Sequence, residues 1–204
     1  MSPALRVFSY KIVRDFGFAP NPFHGVCTLA TCKPQIRTSV QPNDIVIGCG
    51  SSGNGLAGRI ICVMRIANKC GFQEYWESPR FAVKRPFFKG NRRRAYGDNI
   101  YHRNADGQWM QELSHHSFAD GSLNEANHLR DTGSDNVLWS DDFVYFGRSA
   151  PLIPPHLRAF DGEDLYPSGR SHRVNFSTEF VAAVDAWFRE LPARGCRGRP
   201  AAWT

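Results

Sequence analysis

Histidine and aspartate residues, which can act as general acids, general bases or metal ligands, cluster in three short segments of this 204-residue sequence. The segments are 96–103, 114–117 and 140–148, and their candidate catalytic residues are His102, His115, His116, Asp141 and Asp142. These residue types could bind a divalent metal ion or form an acid/base pair. Because adjacent side chains of a strand point to opposite faces, we expect at most one His of 115–116 and one Asp of 141–142 to face a common pocket. Turns and helix caps, in which Asp and Ser are also common, are an alternative explanation.

The sequence also contains residues that could bind a nucleobase. Asp, Asn and His offer hydrogen-bond donors and acceptors for a base edge, and aromatic rings can stack on the base. The candidate base-binding residues are Phe16, Phe18, Asp98, Asn99, Tyr101 and His102. Phe16 and Phe18 belong to segment 10–23, where Pro and Gly restrict the backbone and aromatic residues are interspersed with charged ones. A rigid loop that buries its own Phe side chains explains this segment equally well.

A run of basic residues over 80–94 indicates contact with a polyanion. It contains seven Lys and Arg residues and no acidic residue, with Phe residues between them. The candidate phosphate-binding residues are Lys84, Arg85, Arg92, Arg93 and Arg94. The formal net charge is +6, but residues 1–103 contain 16 basic and 5 acidic residues, whereas residues 104–204 contain 9 and 14. A concentrated basic run followed by an acidic, His-containing segment favours nucleic acid or a nucleotide as the partner.

Two further patterns predict no site. Residues 48–53 fit the string G-x-G-x-x-G, but a dinucleotide site needs a helix after the glycines, and the next predicted element is a strand. His24, Cys27 and Cys32 give only one loose pair of the kind found at zinc sites, so we interpret the six cysteines as reduced structural thiols. No metal and no cofactor is predicted.

Composition points to an ordinary globular protein. The chain is 42% apolar and 13% aromatic, which excludes a disordered chain, and six cysteines are too few for a disulfide scaffold. No apolar run approaches the roughly 20 residues of a membrane helix. Residues 1–10 lack the apolar stretch of a secretory signal, so we expect a cytoplasmic location and no membrane partner.

The elements that must position these residues are predicted to be mainly strands. Strands are expected over 4–13, 44–48 and 59–66, the last two as a hairpin, because these runs are rich in β-branched residues. Helical spacing of apolar residues after the N-cap Ser177 predicts an amphipathic helix over 178–191, and 72–78 could add one helical turn. We predict an α+β fold, mainly β, with one domain over 1–192 and a loose basic tail over 193–204.

Five strings of residues, in this order, resemble the second of the nucleotide modification associated domain families. They lie within 10–23, 27–34, 96–102, 114–117 and 140–151. The resemblance covers about residues 7–155, the expected domain core. It implies a protein that acts alongside bacterial and phage systems that modify DNA bases, and it supplies no catalytic residues.

The predicted hairpin over 43–66 is also similar to the central hairpin of PUA-like barrels, including the EVE and ASCH groups. That similarity implies a small, partly open β-barrel with peripheral helices and a pocket for a flipped, modified base.

Three functions are compatible with these observations. The first is a protein that binds modified bases or nucleotides in nucleic acid, with DNA favoured over RNA. The alternative is a hydrolase or nuclease that acts on modified DNA or nucleotides through a His/Asp site. A third is a protein that recruits a base-modifying enzyme. The residues leave open whether the protein catalyses a reaction or only binds.

Overall fold

The computed structural model describes residues 4–169 and 172–203. The strands are β1 (Val7–Lys11), β2 (Cys27–Leu29), β3 (Ile45–Cys49), β4 (Ile60–Arg65), β5 (Asn68–Cys70), β6 (Tyr101–Arg103), β7 (Trp109–Gln111), β8 (Val137–Ser140), β9 (Asp142–Tyr145), β10 (His172–Arg173) and β11 (Gly195–Cys196). The α-helices are α1 (Pro34–Ser39), α2 (Phe72–Glu77), α3 (Arg92–Ala95), α4 (Glu125–Thr132) and α5 (Thr178–Glu190). Short 3-10 helices cover Ser52–Asn54, Pro79–Lys84, Gly147–Ser149 and Pro155–Leu157.

The chain forms two compact units. The first comprises Met1–Phe16, Val40–Ala67 and Ser140–Thr204, and the second comprises Gly17–Ser39 and Asn68–Trp139. Among the described residues, no helix combines the length and the apolar character needed to cross a bilayer.

The first unit contains a six-stranded mixed sheet in the order β10-β1-β3-β4-β9-β11. β3 and β4 pair antiparallel, as the predicted hairpin requires, and β1 pairs parallel to β3. All residues of β3 and nearly all of β4 are buried, which explains why their sequences are continuous apolar runs rather than alternating ones. Within the connecting loop, a Cβ at Gly50 would lie 2.1 Å from the Leu56 carbonyl oxygen, so a glycine is required there.

The α+β class is confirmed, but the PUA-like barrel is not found in the described residues. The six-stranded sheet is open, because its edge strands β10 and β11 pair with β1 and β9 and not with each other. A continuous sheet with separate edges does not enclose a lumen, so the barrel pocket expected for a base is not formed by these strands.

Helix α5 covers one face of this sheet, and its start agrees with the predicted N-cap. Ser177 Oγ accepts a hydrogen bond from the Phe180 N–H at 3.2 Å. Phe180, Val184 and Phe188 are fully buried and belong to the same apolar cluster as residues of β1, β3, β4 and β9. The helical spacing of these side chains is therefore the pattern of a helix that packs on a sheet.

The segment after α5 is not the loose tail that its composition predicted. β11 pairs parallel to β9, and the Ala201 N–H donates to Asp15 Oδ2 at 2.9 Å. Arg194 Nε also lies 2.6 Å from Asp142 Oδ1. Backbone pairing and these polar contacts fix a segment that has few apolar residues of its own. The predicted domain boundary at 192 stays a prediction.

The second unit consists of short strands and helices, and buried charged side chains connect its loops. Its sheets are β2-β8-β5 and β6-β7. Arg37 is fully buried and donates to the carbonyl oxygens of Cys32 and Ser134 at 2.9 and 2.8 Å, and to two further carbonyls. Lys84 is also fully buried, and its ammonium donates to the carbonyl oxygens of Asn21 and Val26 at 3.0 and 2.7 Å. These cations donate to carbonyl oxygens that lie outside the strands, where backbone pairing is incomplete.

A buried hydrogen bond between a tyrosine and a carboxylate gives a test of the packing of the first unit. Tyr145 Oη donates to Asp15 Oδ1 at 2.5 Å, and burial and the Asp15 charge raise the pKa of Tyr145, so the hydroxyl remains a donor. Tyr145→Phe keeps the ring but removes one donor from a buried carboxylate. We expect the free energy of unfolding, measured by urea denaturation, to fall by about 1–3 kcal/mol. Tyr166→Phe, in the same unit, is the control, and equal effects of the two substitutions would contradict the prediction.

Candidate active site

Cys32 lies in a loop between β2 and α1 whose backbone has an unusual conformation. The φ angles of Cys32 and Lys33 are +58° and +45°, in the left-handed region that is costly for residues other than glycine and is frequent at functional sites. The Cys32 N–H donates to Asp131 Oδ1 at 2.8 Å, and the Cys32 carbonyl accepts from Arg37 Nε. α1 begins at Pro34, whose missing N–H is not needed at a helix start. The loop therefore presents a partly exposed thiol from a fixed backbone.

The Cys32 thiol, the His116 imidazole and the Asp131 carboxylate form a hydrogen-bonded line. Cys32 Sγ lies 3.9 Å from His116 Nε2, and His116 Nδ1 lies 2.7 Å from Asp131 Oδ2. His116 is 9% exposed and Asp131 is fully buried. A nucleophile, a base within its reach and a third group that orients the base are the arrangement used in covalent catalysis.

The Asp131 carboxylate accepts four hydrogen bonds. Oδ1 accepts from the Cys32 N–H and from Arg130 Nε, which lies 3.0 Å away. Oδ2 accepts from His116 Nδ1 and from Tyr101 Oη, which also lies 3.0 Å away. Because charge-assisted hydrogen bonds favour the ionised form, these donors keep Asp131 negative and hold the His116 ring with Nε2 toward the thiol.

The protonation states of the pair follow from these contacts. Burial by itself would lower the pKa of His116, but hydrogen bonds to Asp131 and Cys32, together with their charges, raise it to about 9. Burial by itself would raise the pKa of Asp131, but the hydrogen bonds and charges of His116 and Arg130 bring it below its usual value. At neutral pH His116 is therefore an imidazolium, with Nε2 3.9 Å from the Cys32 sulfur.

Two aromatic residues predicted to stack on a base instead support this site. Phe18 is 3% exposed, and its ring packs edge-on against His116 with centroids 4.6 Å apart. Tyr101 is fully buried, donates to Asp131 and accepts from Gln111 Nε2 at 2.9 Å. Neither ring presents a free face to a ligand, so both predictions are corrected to positioning roles.

Asp98 and Asn99, predicted to bind a base edge, are also fully buried. The Asp98 carboxylate accepts from Thr28 Oγ1 at 2.7 Å and from Tyr75 Oη at 2.8 Å. The Asn99 side-chain amide donates to the carbonyl oxygens of Tyr75 and Phe81. These hydrogen bonds join separate segments of the second unit, which corrects the predicted base-edge role of both residues to a structural one.

The predicted histidines separate into different environments. His116 belongs to the site, whereas His115 is exposed and packs against Tyr96 with ring centroids 5.4 Å apart. The two neighbouring histidines therefore differ in burial, and which of them faces a pocket stays a prediction. His102 Nε2 lies 2.8 Å from Glu112 Oε1, and the His102 ring stacks on Trp76 at 4.0 Å, so it takes part in neither predicted site.

The predicted phosphate-binding residues also differ in exposure. Lys84 is buried on backbone carbonyls, and Arg85 stacks on the Trp76 ring at 4.0 Å and donates to the Trp76 carbonyl, so these two predictions are corrected. Arg92 and Arg93 are exposed on α3, and Arg94 is half-buried. The basic surface is thus smaller than the run of charges suggests.

Three predicted residues belong to the first unit. Phe16 is half-buried and Asp141 is exposed. Asp142 forms ion pairs with Arg194 and Arg65 at 2.6 and 3.6 Å. Asp142 therefore has a structural partner rather than a histidine, and the carboxylate that pairs with His116 is Asp131.

Cys32, His116 and Asp131 are also residue types that bind metal ions, and one ligand atom of each lies within 4.8 Å of the others. Structural Zn²⁺ is bound by four such ligands, and catalytic Zn²⁺ by three. However, both Asp131 oxygens already accept two hydrogen bonds, and His116 Nδ1 is used by Asp131. Only Cys32 Sγ and His116 Nε2 remain of the atoms that could bind a metal ion. The arrangement therefore fits nucleophilic chemistry better than a metal centre.

A sequence profile described as nucleotide modification associated domain 2 matches residues 4–204. The chain belongs to this family. No curated protein and no solved structure matches the chain.

Membership of the nucleotide modification associated domain 2 family connects the chain with nucleotide or DNA modification and confirms the resemblance seen in the sequence. Two of the strings that carried this resemblance, 27–34 and 114–117, contain Cys32 and His116. Cys32 was nevertheless interpreted as a structural thiol, and Asp131 was missed. The sequence signal for Cys32 was its place in a family-like string, whereas Asp131 lies in no such string.

The geometry predicts that His116 titrates near pH 9 rather than near its ordinary value of 6.5. NMR titration of the imidazole carbons would measure this directly. Asp131→Asn removes the charge that stabilises the imidazolium and should lower the His116 pKa by more than one pH unit. A His116 that titrates at or below 6.5 in the unsubstituted protein would contradict the assigned geometry.

The raised pKa of His116 also predicts how stability depends on pH. Since the folded protein holds the proton more tightly than the unfolded chain, the contribution of His116 to stability is complete below about pH 6.5 and is lost as pH rises through about 9. We would measure the free energy of unfolding of the unsubstituted protein and of His116→Gln by urea denaturation at several pH values. The difference between the two free energies should shrink as the pH rises from about 6.5 to about 9. A difference independent of pH would count against it.

Proposed function

We propose that the protein is a cysteine-dependent enzyme of nucleotide modification, in which Cys32 attacks an electrophilic carbon of a nucleotide or of a modified base in nucleic acid. The hydrogen-bonded line from Cys32 Sγ through His116 to the buried Asp131 carboxylate carries the proposal. Family membership supports the nucleotide part of the substrate class.

The reaction is a group transfer or hydrolysis in two steps. The Cys32 thiolate attacks the substrate carbon, and an S–C bond forms as the bond to the leaving group breaks. His116 Nε2 gives its proton to the leaving group. Water or another acceptor then attacks the same carbon and returns a proton to His116, and the S–C bond breaks with the thiolate restored. Asp131 stays ionised throughout and stabilises the imidazolium.

Other residues hold this geometry without contacting the substrate. Arg37 fixes the Cys32 carbonyl and also donates to the Asp131 carbonyl. Tyr101 and Arg130 orient the Asp131 carboxylate. Precise placement of the reacting groups accounts for a large part of the rate enhancement in covalent catalysis, so these contacts support an enzyme.

The other functions considered from the sequence have less support. A base-reading pocket built from Asp98, Asn99 and Tyr101 would need side chains that are fully buried and that make hydrogen bonds to other segments of the protein. A nuclease site built from His102 and Asp142 would need groups that are paired with Glu112 and Arg194. The thiol centre retains a partly exposed nucleophile.

Alkylation by iodoacetamide tests the thiol centre without knowledge of the substrate. Cys196 is exposed and serves as an internal control in the same chain. At pH 6.5 we expect Cys32 to react about tenfold faster than Cys196, because the His116 imidazole lies 3.9 Å from the Cys32 sulfur and can assist its attack. Peptide mass spectrometry at successive times measures both rates.

Matched variants separate the effect of the imidazolium from that of exposure. His116→Gln and Asp131→Asn should slow alkylation of Cys32 and leave the Cys196 rate unchanged. A chelator should have no effect on the Cys32 rate. If Cys32 reacts no faster than Cys196, or if His116→Gln leaves its rate unchanged, the proposed nucleophile is wrong.

A further inference from the structure

The exposed part of the basic run combines cations with aromatic rings. Phe87 and Phe88 are 48% and 53% exposed, and Lys89, Arg92 and Arg93 are exposed beside them in the sequence. We call residues 87–93 the basic loop. Exposed rings that stack on bases, placed among cations that contact phosphates, are the combination used to bind single-stranded nucleic acid.

Backbone hydrogen bonds give the basic loop a defined shape. The Phe87 N–H donates to the Arg94 carbonyl at 2.9 Å, which closes the loop at its two ends. Asn91 Oδ1 accepts from the Arg94 N–H at 3.1 Å and caps α3. A Cβ at Gly90 would lie 3.0 Å from the Phe87 ring, so the turn packs tightly against it. A loop that is already ordered loses less conformational entropy on binding.

The basic loop is connected to the thiol centre within the second unit. Tyr96 follows α3, and its N–H donates to the Arg92 carbonyl at 3.0 Å. The Tyr96 ring packs on His115, and His115 lies with its ring centroid 5.9 Å from that of His116. These contacts link the C-terminal end of the basic loop to the thiol centre.

We infer that the basic loop binds single-stranded DNA and that the substrate of the Cys32 centre is a base in that strand rather than a free nucleotide. This inference rests on the proposed function. Single strands are favoured because stacking on Phe87 and Phe88 requires bases that are not paired. DNA is chosen because membership of the family connects the chain with nucleotide or DNA modification.

Binding of a labelled dT 12-mer, measured by fluorescence anisotropy over a series of salt concentrations, tests the docking surface. Arg92→Ala/Arg93→Ala should weaken binding roughly tenfold at low salt and reduce the slope of log Kd against log salt by about 1.4, the value for two lost contacts to single-stranded phosphates. Phe87→Ala/Phe88→Ala should weaken binding at least about fivefold with the slope unchanged, because stacking is not electrostatic.

Arg14→Ala/Arg148→Ala is the matched control, because it removes the same charge from two exposed arginines of the first unit. Its Kd and salt slope should stay close to those of the unsubstituted protein. Equal weakening by the two arginine pairs would mean nonspecific attraction and would overturn the docking surface. Tighter binding of a U 12-mer of RNA than of the dT 12-mer would overturn the choice of DNA.

Protection of Cys32 from iodoacetamide tests whether the bound strand reaches the thiol. A saturating dT 12-mer should slow alkylation of Cys32 at least about threefold, and at the same concentration it should protect Arg92→Ala/Arg93→Ala less, in line with the roughly tenfold weaker binding of that variant. Thymidine monophosphate at the same total nucleotide concentration should protect neither protein. A strand that binds without protecting Cys32, or a mononucleotide that protects as well as the strand, would overturn the inference that the substrate is polymeric.

Failure of the proposed function gives a different result. Cys32 would then react no faster than Cys196 even without DNA, while binding of the dT 12-mer would keep its dependence on Arg92 and Arg93. That outcome would overturn the strand as a substrate and support the basic loop as a docking surface only.

Discussion

The buried carboxylate of Asp131 is the constraint on which the candidate site depends. A buried charge is costly unless hydrogen bonds replace its hydration, with an effective penalty of several kcal/mol. Asp131 meets this requirement with donors from four separate parts of the second unit: the Cys32 loop, β6, the 114–117 turn and α4. Each donor is held in place by its hydrogen bond to the carboxylate. The requirement of one buried charge therefore assembles the site.

Arg37 has the complementary role for the backbone. Loops that are buried without strand or helix pairing leave carbonyl oxygens without donors, and such groups destabilise a fold. Arg37 donates to carbonyls on either side of the site, including that of Cys32. Burial lowers the pKa of Arg37 to about 10, so it remains charged at neutral pH. With its N–H and carbonyl both bonded, Cys32 can keep a left-handed backbone that a free loop would leave.

The longer apolar elements were predictable, whereas most of the short elements and the site were not. Strands β3 and β4 and helix α5 follow from runs and spacings of apolar residues, because burial imposes a period on the sequence. The prediction of a barrel was wrong because two strands and a loop do not determine whether the edge strands of a sheet pair with each other. His116 was a candidate because His and Asp residues cluster in three short segments, but the carboxylate that contacts it, Asp131, was not among the candidates. Asp131 is the buried residue of a short helix whose mean character is polar, and no local pattern marks it.

Polar residue types alone do not separate a structural group from a functional one, because the same donors and acceptors serve both. Lys84 and Asp98 have the chemistry to bind a nucleotide, yet both are fully buried and their hydrogen bonds are made within the protein. A group that acts on a ligand must keep a donor, an acceptor or a reactive atom that contacts within the protein leave available. In the Cys32 centre the fold uses both oxygens of Asp131 and Nδ1 of His116, and Nε2 of His116 is directed at a partly exposed sulfur. The Cys32 thiol is therefore the last group in this line of hydrogen bonds and the one that can react with a substrate.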